Sequence, residues 1–232
     1  MEPVICFRSA VAFAGSFPVL AGVDLEVSGG DVVLLRGANG AGKTSILRAA
    51  AGLLRVVSGE ARVLGSDLVL DQRAVRRRVG LLGHASGLYD DLGVSDNVRF
   101  ALRSSGVSPD RASSALDTLG LVGRLADTPV RSLSAGQRRR VALAVLIARD
   151  PDLWLLDEPH AGLDSDHRDL LDGLIKSAAA RGRTVLIASH EADRAEPLAG
   201  QIATVAGGVV VEMAPGPGCP ASDPAEVEPV VA

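Results

Sequence analysis

The stretch that most constrains the fold of this 232-residue chain is the octapeptide GANGAGKT, residues 37–44. It follows the mostly apolar run VVLLR and leads into a helical pattern that extends to residue 54. Three glycines in eight residues allow a tight turn with positive φ angles, which other residues avoid. The pattern therefore predicts a buried strand, a glycine-rich loop and a helix in direct succession.

This loop matches the pattern G-x-x-x-x-G-K-[ST], which predicts a site for nucleotide phosphates. Successive N–H groups of such a loop form an anion nest, and the following helix adds its positive end. Lys43 supplies a point charge for the β- and γ-phosphates, and Thr44 a hydroxyl for Mg²⁺. The candidate nucleotide-binding residues are Gly37, Ala38, Asn39, Gly40, Ala41, Gly42, Lys43, Thr44 and Ser45.

The rest of the chain alternates apolar, β-rich segments with helical patterns, which favours an α/β fold with a mostly parallel sheet. Predicted strands lie at 23–27, 31–36, 61–65, 79–82, 153–157 and 184–189. A predicted helix spans 166–181, with Ser165 as its N-cap and Gly182 at its end. The first 30 residues and 59–65 are more typical of antiparallel strands, and 94–130 of a helical insert.

Composition limits the cellular setting. A net charge of −4 argues against a nucleic-acid binder, and two distant cysteines do not form a disulfide framework. The apolar runs are far shorter than the ~20 residues of a membrane-spanning helix, and no signal-peptide pattern opens the chain. We expect a cytosolic protein with one domain over 1–213, a helical part at about 85–148, and a disordered Pro/Ala-rich tail over 214–232.

An acidic pair ends the predicted strand in DLWLLDEP, residues 152–159. Adjacent strand residues point in opposite directions, so Asp157 and Glu158 are able to serve different partners. Asp157 suits Mg²⁺ held through water, and Glu158 suits the orientation or deprotonation of an attacking water. Alone, such a pair is more often structural; beside a phosphate loop, the catalytic role is favoured.

The segment LSAGQRRRVALA, residues 133–144, contains a capping box formed by Ser134 and Gln137, a device open to any helix. Its arginine run, like the run at 76–78, is typical of a solvated helix face. The chain has no N-K-x-D base-reading motif. From the phosphate loop alone, a phosphotransferase for small substrates remains open.

Five segments together, GANGAGKT, LSAGQ, LWLLDEP, AGLD and LIASH, resemble an ABC ATPase, the nucleotide-binding subunit of ABC transporters. The resemblance covers about residues 3–212, and its signature departs from LSGGQ only at Ala135. It implies a P-loop NTPase (RecA-like) core with an antiparallel β subdomain and a small α-helical subdomain. It also implies ATP and Mg²⁺ as cofactors.

The resemblance further implies that two subunits, a homodimer in the simplest case, sandwich ATP head to tail. Ser134 and Gly136 would then face the γ-phosphate bound by the partner, and Asp164 would cross the interface. His190 would contact the γ-phosphate, which makes Lys43, Glu158 and His190 the implied catalytic set.

His84 occupies the position of a glutamine that senses Mg²⁺ and the γ-phosphate in many relatives, so Thr44, Asp157 and His84 are the implied metal residues. The glycine–histidine pair here and Ala135 are similar to the cytochrome c biogenesis, or haem exporter, group. That group implies integral membrane partner subunits and a place on the cytoplasmic face of the cell membrane. Export of another cargo, such as drugs, is the alternative, followed by a soluble ABC protein of DNA repair or translation.

The adenine-stacking aromatic of many ABC ATPases has no clear equivalent. The position that aligns with it is Ala14. Phe13 and Phe17 lie nearby, and either is able to stack on a base. For each of them a core role is favoured.

Overall fold

The structure of the protein, a computed structural model, describes residues 2–84 and 86–218. Its strands are β1 (Ile5–Ala14), β2 (Phe17–Val27), β3 (Val32–Arg36), β4 (Val56–Val63), β5 (Ser66–Asp67), β6 (Val79–Leu82), β7 (Leu153–Asp157), β8 (Thr184–Ala188), β9 (Gln201–Ala206) and β10 (Val209–Pro215). Its helices are α1 (Lys43–Ala50), α2 (Val94–Ser104), α3 (Arg111–Thr118), α4 (Ala135–Arg149), α5 (Ser165–Ala180) and α6 (Ala192–Ala195). Short 3₁₀ segments lie at 123–125, 130–132 and 196–198.

The larger sheet has the strand order β10-β9-β3-β8-β7-β6, and all its neighbours are parallel except β9 and β10. Alternate residues of its central strands enter two separate apolar clusters. In β3, for example, Val32 and Leu34 belong to the cluster that contains helices α2 to α5. Val33 and Leu35 belong to the cluster that contains α1 and the second sheet. Both faces are therefore covered, which explains why these strands are apolar at nearly every position.

The second sheet is antiparallel and has the order β2-β1-β4-β5. This confirms the antiparallel strands expected in the first 30 residues and at 59–65. Helices α2 and α3 pack on α4 at the opposite side of the parallel sheet. The mixed α/β architecture is the P-loop NTPase fold with an antiparallel β part and a helical part that the sequence predicts.

Three local expectations need correction. Helix α1 ends at Ala50 because Gly52, with φ 63°, closes it: the N–H groups of Gly52 and Leu53 donate to the last helical turn. The N-cap of α5 is Asp164, whose carboxylate accepts the N–H of His167. The arginines at 76–78 are exposed as expected, but they lie in turns and not on a helix.

The end of the chain differs in part from the expected boundary at residue 214. Strand β10 continues through Pro215, and the N–H groups of Gly216 and Gly218 donate to the carbonyls of Gly200 and Ala199. The first residues assigned to the tail thus pair with the sheet. The remainder of the predicted tail, 219–232, lies outside the described residues.

Candidate functional site

The carboxyl ends of four adjacent parallel strands meet at one edge of the larger sheet. The glycine-rich loop follows β3, His190 lies just beyond β8, Asp157 ends β7, and His84 lies just beyond β6. Ligands of open α/β sheets bind outside this edge, because loops from successive strands converge there. A cleft of about 970 Å³, here called the phosphate cleft, opens at this edge. Its size suits a small-molecule ligand.

The loop at 37–44 surrounds the Lys43 ammonium. Lys43 is the first residue of α1 and is buried, and its Nζ donates to the carbonyl oxygens of Gly37 at 2.7 Å and Ala38 at 3.1 Å. The positive charge therefore lies at the centre of the loop, beside the N-terminus of a helix. Both features favour anions. The predicted residues from Asn39 to Ser45 line the phosphate cleft together.

Two glycines of the loop are required sterically. A Cβ at Gly37 would overlap the carbonyl oxygen of Val205, and Gly42 adopts φ 112° with a Cβ position 3.1 Å from Gly208 Cα. The turn at 207–208 thus packs directly on the loop. The N–H of Gly208 donates to Ala41 O at 2.8 Å and supports this contact.

Thr44 and Asp157 form the oxygen-rich side of the cleft. The Thr44 hydroxyl lies 2.9 and 3.1 Å from the two carboxylate oxygens of Asp157. Hydroxyl and carboxylate oxygens are the donors that Mg²⁺ prefers, usually with one or two carboxylates and substrate phosphates. This pair therefore fits a magnesium ion. The imidazole of His84 lines the same cleft but is a softer donor.

Glu158 occupies an unusual backbone conformation, with φ 45°. Its N–H donates to Ala188 O at 2.8 Å, which holds it against β8. Its carboxylate accepts from the Ser189 hydroxyl at 3.3 Å and from His190 Nδ1 at 2.8 Å. The hydrogen bond and charge of Glu158 raise the pKa of His190. Glu158, the predicted base, thus lies in direct contact with His190, the residue predicted to meet the γ-phosphate.

Arg139 joins this site to helix α4, a role that the sequence did not reveal. Its guanidinium is half-buried and donates to main-chain carbonyls at the ends of both β6 and β7. Arg140 is also half-buried and bonds to Leu119 O at 3.1 Å, whereas Arg138 pairs with Asp90 at 2.8 Å. All three arginines are half-buried and make contacts within the chain, so the expected solvated face is wrong for this run.

Ser134 and Gly136 lie outside the phosphate cleft, in a second one here called the signature cleft. Ser134 and Gln137 form the predicted capping box at the N-terminus of α4, which confirms that expectation. A Cβ at Gly136 would lie 2.6 Å from Gly162 O, so only glycine allows α4 to approach this loop so closely. The lining residues are Ser134, Gly136, Gln137, Arg140, Gly162, Leu163, Asp164 and His167.

His167 connects the two sides of the signature cleft. Arg140 approaches His167 Nε2 at 3.0 Å, and His167 Nδ1 lies 2.6 Å from the Asp164 carboxylate. An arginine only donates, so Nε2 must accept, and the proton of this neutral ring must be on Nδ1. The hydrogen bonds from the backbone and side chain of His167 hold the pKa of Asp164 below its usual value.

Two aromatic expectations are wrong. Phe13 and Phe17 are 43% and 74% exposed, so neither belongs to the core. Among the described residues, neither lines the phosphate cleft; Pro18 and Val19 of β2 lie there instead. Both lie in the strands beside the hairpin turn, where residues 13–18 are all exposed.

Among residues 2–84 and 86–218, no helix combines the length and hydrophobicity that crossing a membrane requires.

Comparison with known proteins places the chain in a family. The family model described as ABC transporter matches residues 20–161. Cytochrome c biogenesis ATP-binding export protein CcmA 2 of Cupriavidus metallidurans is 39% identical over 202 residues, 83% of this chain and 92% of that protein. The corresponding CcmA of Xanthomonas oryzae pv. oryzae is 38% identical over 205 residues, 88% of this chain and 94% of that protein.

Solved structures agree on the fold. A dimeric bacterial ABC transporter cassette superposes with a TM-score of 0.82 at 24% identity and covers 91% of this chain and 98% of its own. The fold and the phosphate cleft define a P-loop protein that binds nucleoside triphosphates. More narrowly, the chain belongs to the ABC transporter family, as one of its ATP-binding, ATP-hydrolysing members.

Proposed function

We propose that this chain is the ATPase subunit of a transporter that exports haem, or a haem-related cargo, for cytochrome c maturation. The observation that supports the cargo is its similarity to two CcmA proteins, named for cytochrome c biogenesis and export, over 92% and 94% of their lengths. The glycine–histidine pair at 83–84 and Ala135 in the signature add to this assignment.

In the proposed reaction, Lys43 and the loop N–H groups bind the β- and γ-phosphates of ATP. Thr44 and Asp157 would hold Mg²⁺, which neutralises phosphate charge when bound, and His84 would contact it through water. Glu158 orients the attacking water and accepts its proton. His190, in contact with Glu158 at 2.8 Å, is placed to meet the γ-phosphate.

We further propose that two copies of the chain complete two ATP sites. The signature cleft of one subunit presents the helix N-terminus at Ser134 and Gly136, which favours an anion. It lacks Lys43 and Thr44, which line the phosphate cleft of the same chain. A head-to-tail pair brings each signature cleft to the partner's γ-phosphate, with Asp164 at the interface.

Membrane subunits are the proposed third component, and they place the ATPase on the cytoplasmic face of the membrane. The segment that follows His84 offers a surface for them. Tyr89 and Phe100 are 54% and 45% exposed, and their rings meet edge to face at a centroid distance of 4.9 Å. Exposed aromatic pairs beside a sensing loop are suited to a protein partner.

The variant Glu158→Gln tests the enzymatic proposal. It should bind ATP but hydrolyse it about 10²–10⁴-fold more slowly, because general-base assistance is lost. Light scattering with ATP should then detect a trapped dimer, whereas Lys43→Ala should stay monomeric. Only monomer for Glu158→Gln with ATP would contradict a homodimer of the isolated chain.

The cargo needs a separate experiment in the host cell. Deletion of the gene should abolish haem attachment to c-type cytochromes, measured by haem staining of membrane proteins. The wild-type gene should restore attachment, and Glu158→Gln should not. Normal cytochromes c in the deletion strain would contradict this cargo and leave the ATPase assignment intact.

A further inference from the structure

Arg139 has an environment that sets it apart from an ordinary surface arginine. Its guanidinium is half-buried, and among the described residues its hydrogen bonds all go to main-chain carbonyl oxygens. These acceptors are Gly83 at 2.7 Å, Asp157 at 2.8 Å, Glu158 at 2.6 Å and Pro159 at 3.3 Å. Burial lowers the pKa of the guanidinium, and the nearby carboxylates partly offset this.

The four acceptors belong to the two segments that act on the nucleotide. Gly83 directly precedes His84, the proposed sensor, at the end of β6. The other three carbonyls belong to Glu158 and its two sequence neighbours, at and just after the end of β7. A rigid planar fork with five N–H donors is able to bind both segments at once. Arg139 therefore fixes their separation and ties both to helix α4.

The contact with Glu158 has a direct effect on its geometry. This residue has φ 45°, a conformation that non-glycine residues adopt only when neighbouring contacts impose it. Ala188 O holds its N–H at 2.8 Å, and Arg139 holds its carbonyl at 2.6 Å. The two contacts orient the Glu158 side chain toward the phosphate cleft.

We infer that Arg139 is a positioning residue for ATP hydrolysis, which acts through the main chain of Glu158 and of the residue before His84. This inference rests on the proposed role of Glu158 in ATP hydrolysis.

A purely structural role is the competing explanation, and the chain provides a matched control. Arg149 lies on the same helix and also donates to main-chain carbonyls, those of Arg76, Arg77 and Val79, at 3.2–3.4 Å. Burial lowers the pKa of this guanidinium too. Its acceptors lie at the opposite end of α4, just before β6 and at its first residue. Loss of either arginine should lower stability, but only the loss of Arg139 should slow hydrolysis.

The first experiment compares Arg139→Lys with Arg149→Lys in the full chain. A lysine keeps the charge but offers only a point-like ammonium in place of the fork. For Arg139→Lys, kcat should fall about 10- to 100-fold, as for other residues that orient a reacting group without touching the ligand. The Kd of a fluorescent ATP analogue should stay nearly constant. Arg149→Lys should leave kcat unchanged, with a similar loss in thermal midpoint. Equal kcat values in the two variants, or a Kd that weakens with kcat, would overturn the inference.

The second experiment tests whether Arg139 acts through Glu158. In a Glu158→Gln background, Arg139→Lys should slow single-turnover hydrolysis by no more than about twofold, since the group that it positions is gone. Multiplication of the two single effects would contradict the inference. Absence of hydrolysis by the wild-type chain with Mg²⁺-ATP would instead refute the proposed function.

Discussion

The two clefts of this chain differ in how they are built and in what each is able to do alone. The phosphate cleft collects an ammonium and a hydroxyl from the segment after β3 and two carboxylates from the end of β7, so its reactive groups already face one another. In the signature cleft, His167 bonds to both Arg140 and Asp164 beside the capped N-terminus of α4. Under the proposed function, this difference means that one cleft carries the chemistry and the other presents a surface for a second subunit.

The largest effect is expected from Lys43→Ala. We expect the buried ammonium at the centre of the loop to be the main positive charge for the β- and γ-phosphates, so both ATP binding and turnover should be lost. A fluorescent ATP analogue and a phosphate-release assay measure the two. Lys176→Ala, on the exposed side of α5, is the matched control. Wild-type binding and hydrolysis by Lys43→Ala would remove the distinction between the clefts.

Gly136→Ala should affect hydrolysis but not ATP binding by the single chain. The added methyl would lie 2.6 Å from Gly162 O and would force α4 away from that loop. A displacement of this size costs on the order of 10²-fold in rate when it separates reacting groups. Steady-state kcat should therefore fall while the Kd of the fluorescent ATP analogue stays unchanged.

Mixing the two variants sharpens the comparison. A head-to-tail pair of one Lys43→Ala chain and one Gly136→Ala chain contains one site with both parts intact. Hydrolysis should therefore reappear on mixing, although each variant alone is inactive or nearly so. If the mixture stays as inactive as its components, the signature cleft does not complete a partner's site.

His84 should have a smaller effect, confined to the phosphate cleft. His84→Ala should lower turnover by up to about 10-fold, the lower end for residues that contact a metal through water or orient its ligands. His84→Gln should retain most activity, because an amide oxygen restores an acceptor at this place. The measurement is kcat with membrane subunits present; identical rates for all three proteins would make His84 a loop residue without a sensing role.

The smallest effect concerns pH and the contact between His190 and Glu158. Because the folded-state pKa of His190 is raised, the contact stabilises the protein fully below the unfolded value of about 6.5, while Glu158 is ionised. The stabilisation is lost as pH rises through the folded pKa. His190→Gln should therefore lower the thermal midpoint slightly near pH 6 and not at pH above about 8. The same small loss at both pH values would contradict an ionic contact.

Local signals account for what the sequence predicts well. The phosphate loop, the capping box of Ser134 and Gln137, and Gly182 after α5 each depend on a few neighbouring residues, and the structure contains all three. The contacts of Arg139 were not predictable in this way. They depend on strands 18 to 56 positions away along the chain, and a run of three arginines does not reveal which partners each one meets in the fold.

The N-cap of α5 shows the same limit at short range. Asp164 and Ser165 are both good capping residues, and sequence alone does not decide between them. The bond from His167 to Asp164, and the contact of His167 with Arg140, settle the choice in the folded chain. The residue type of Phe13 and Phe17 favours the core, but both lie at the exposed end of the β1–β2 hairpin.

The position of β3 in the sheet has a consequence for synthesis on the ribosome. This strand leads into the phosphate loop near the start of the chain, but its neighbours β8 and β9 are both made near the end. The turn that packs on Gly42 follows even later, at residues 207–208. A nascent chain thus carries an unpaired, strongly apolar strand through most of its elongation, a form that is prone to aggregation. Nucleotide binding would begin only after the last hairpin leaves the exit tunnel, so an arrested chain that ends before β9 should fail to retain ATP.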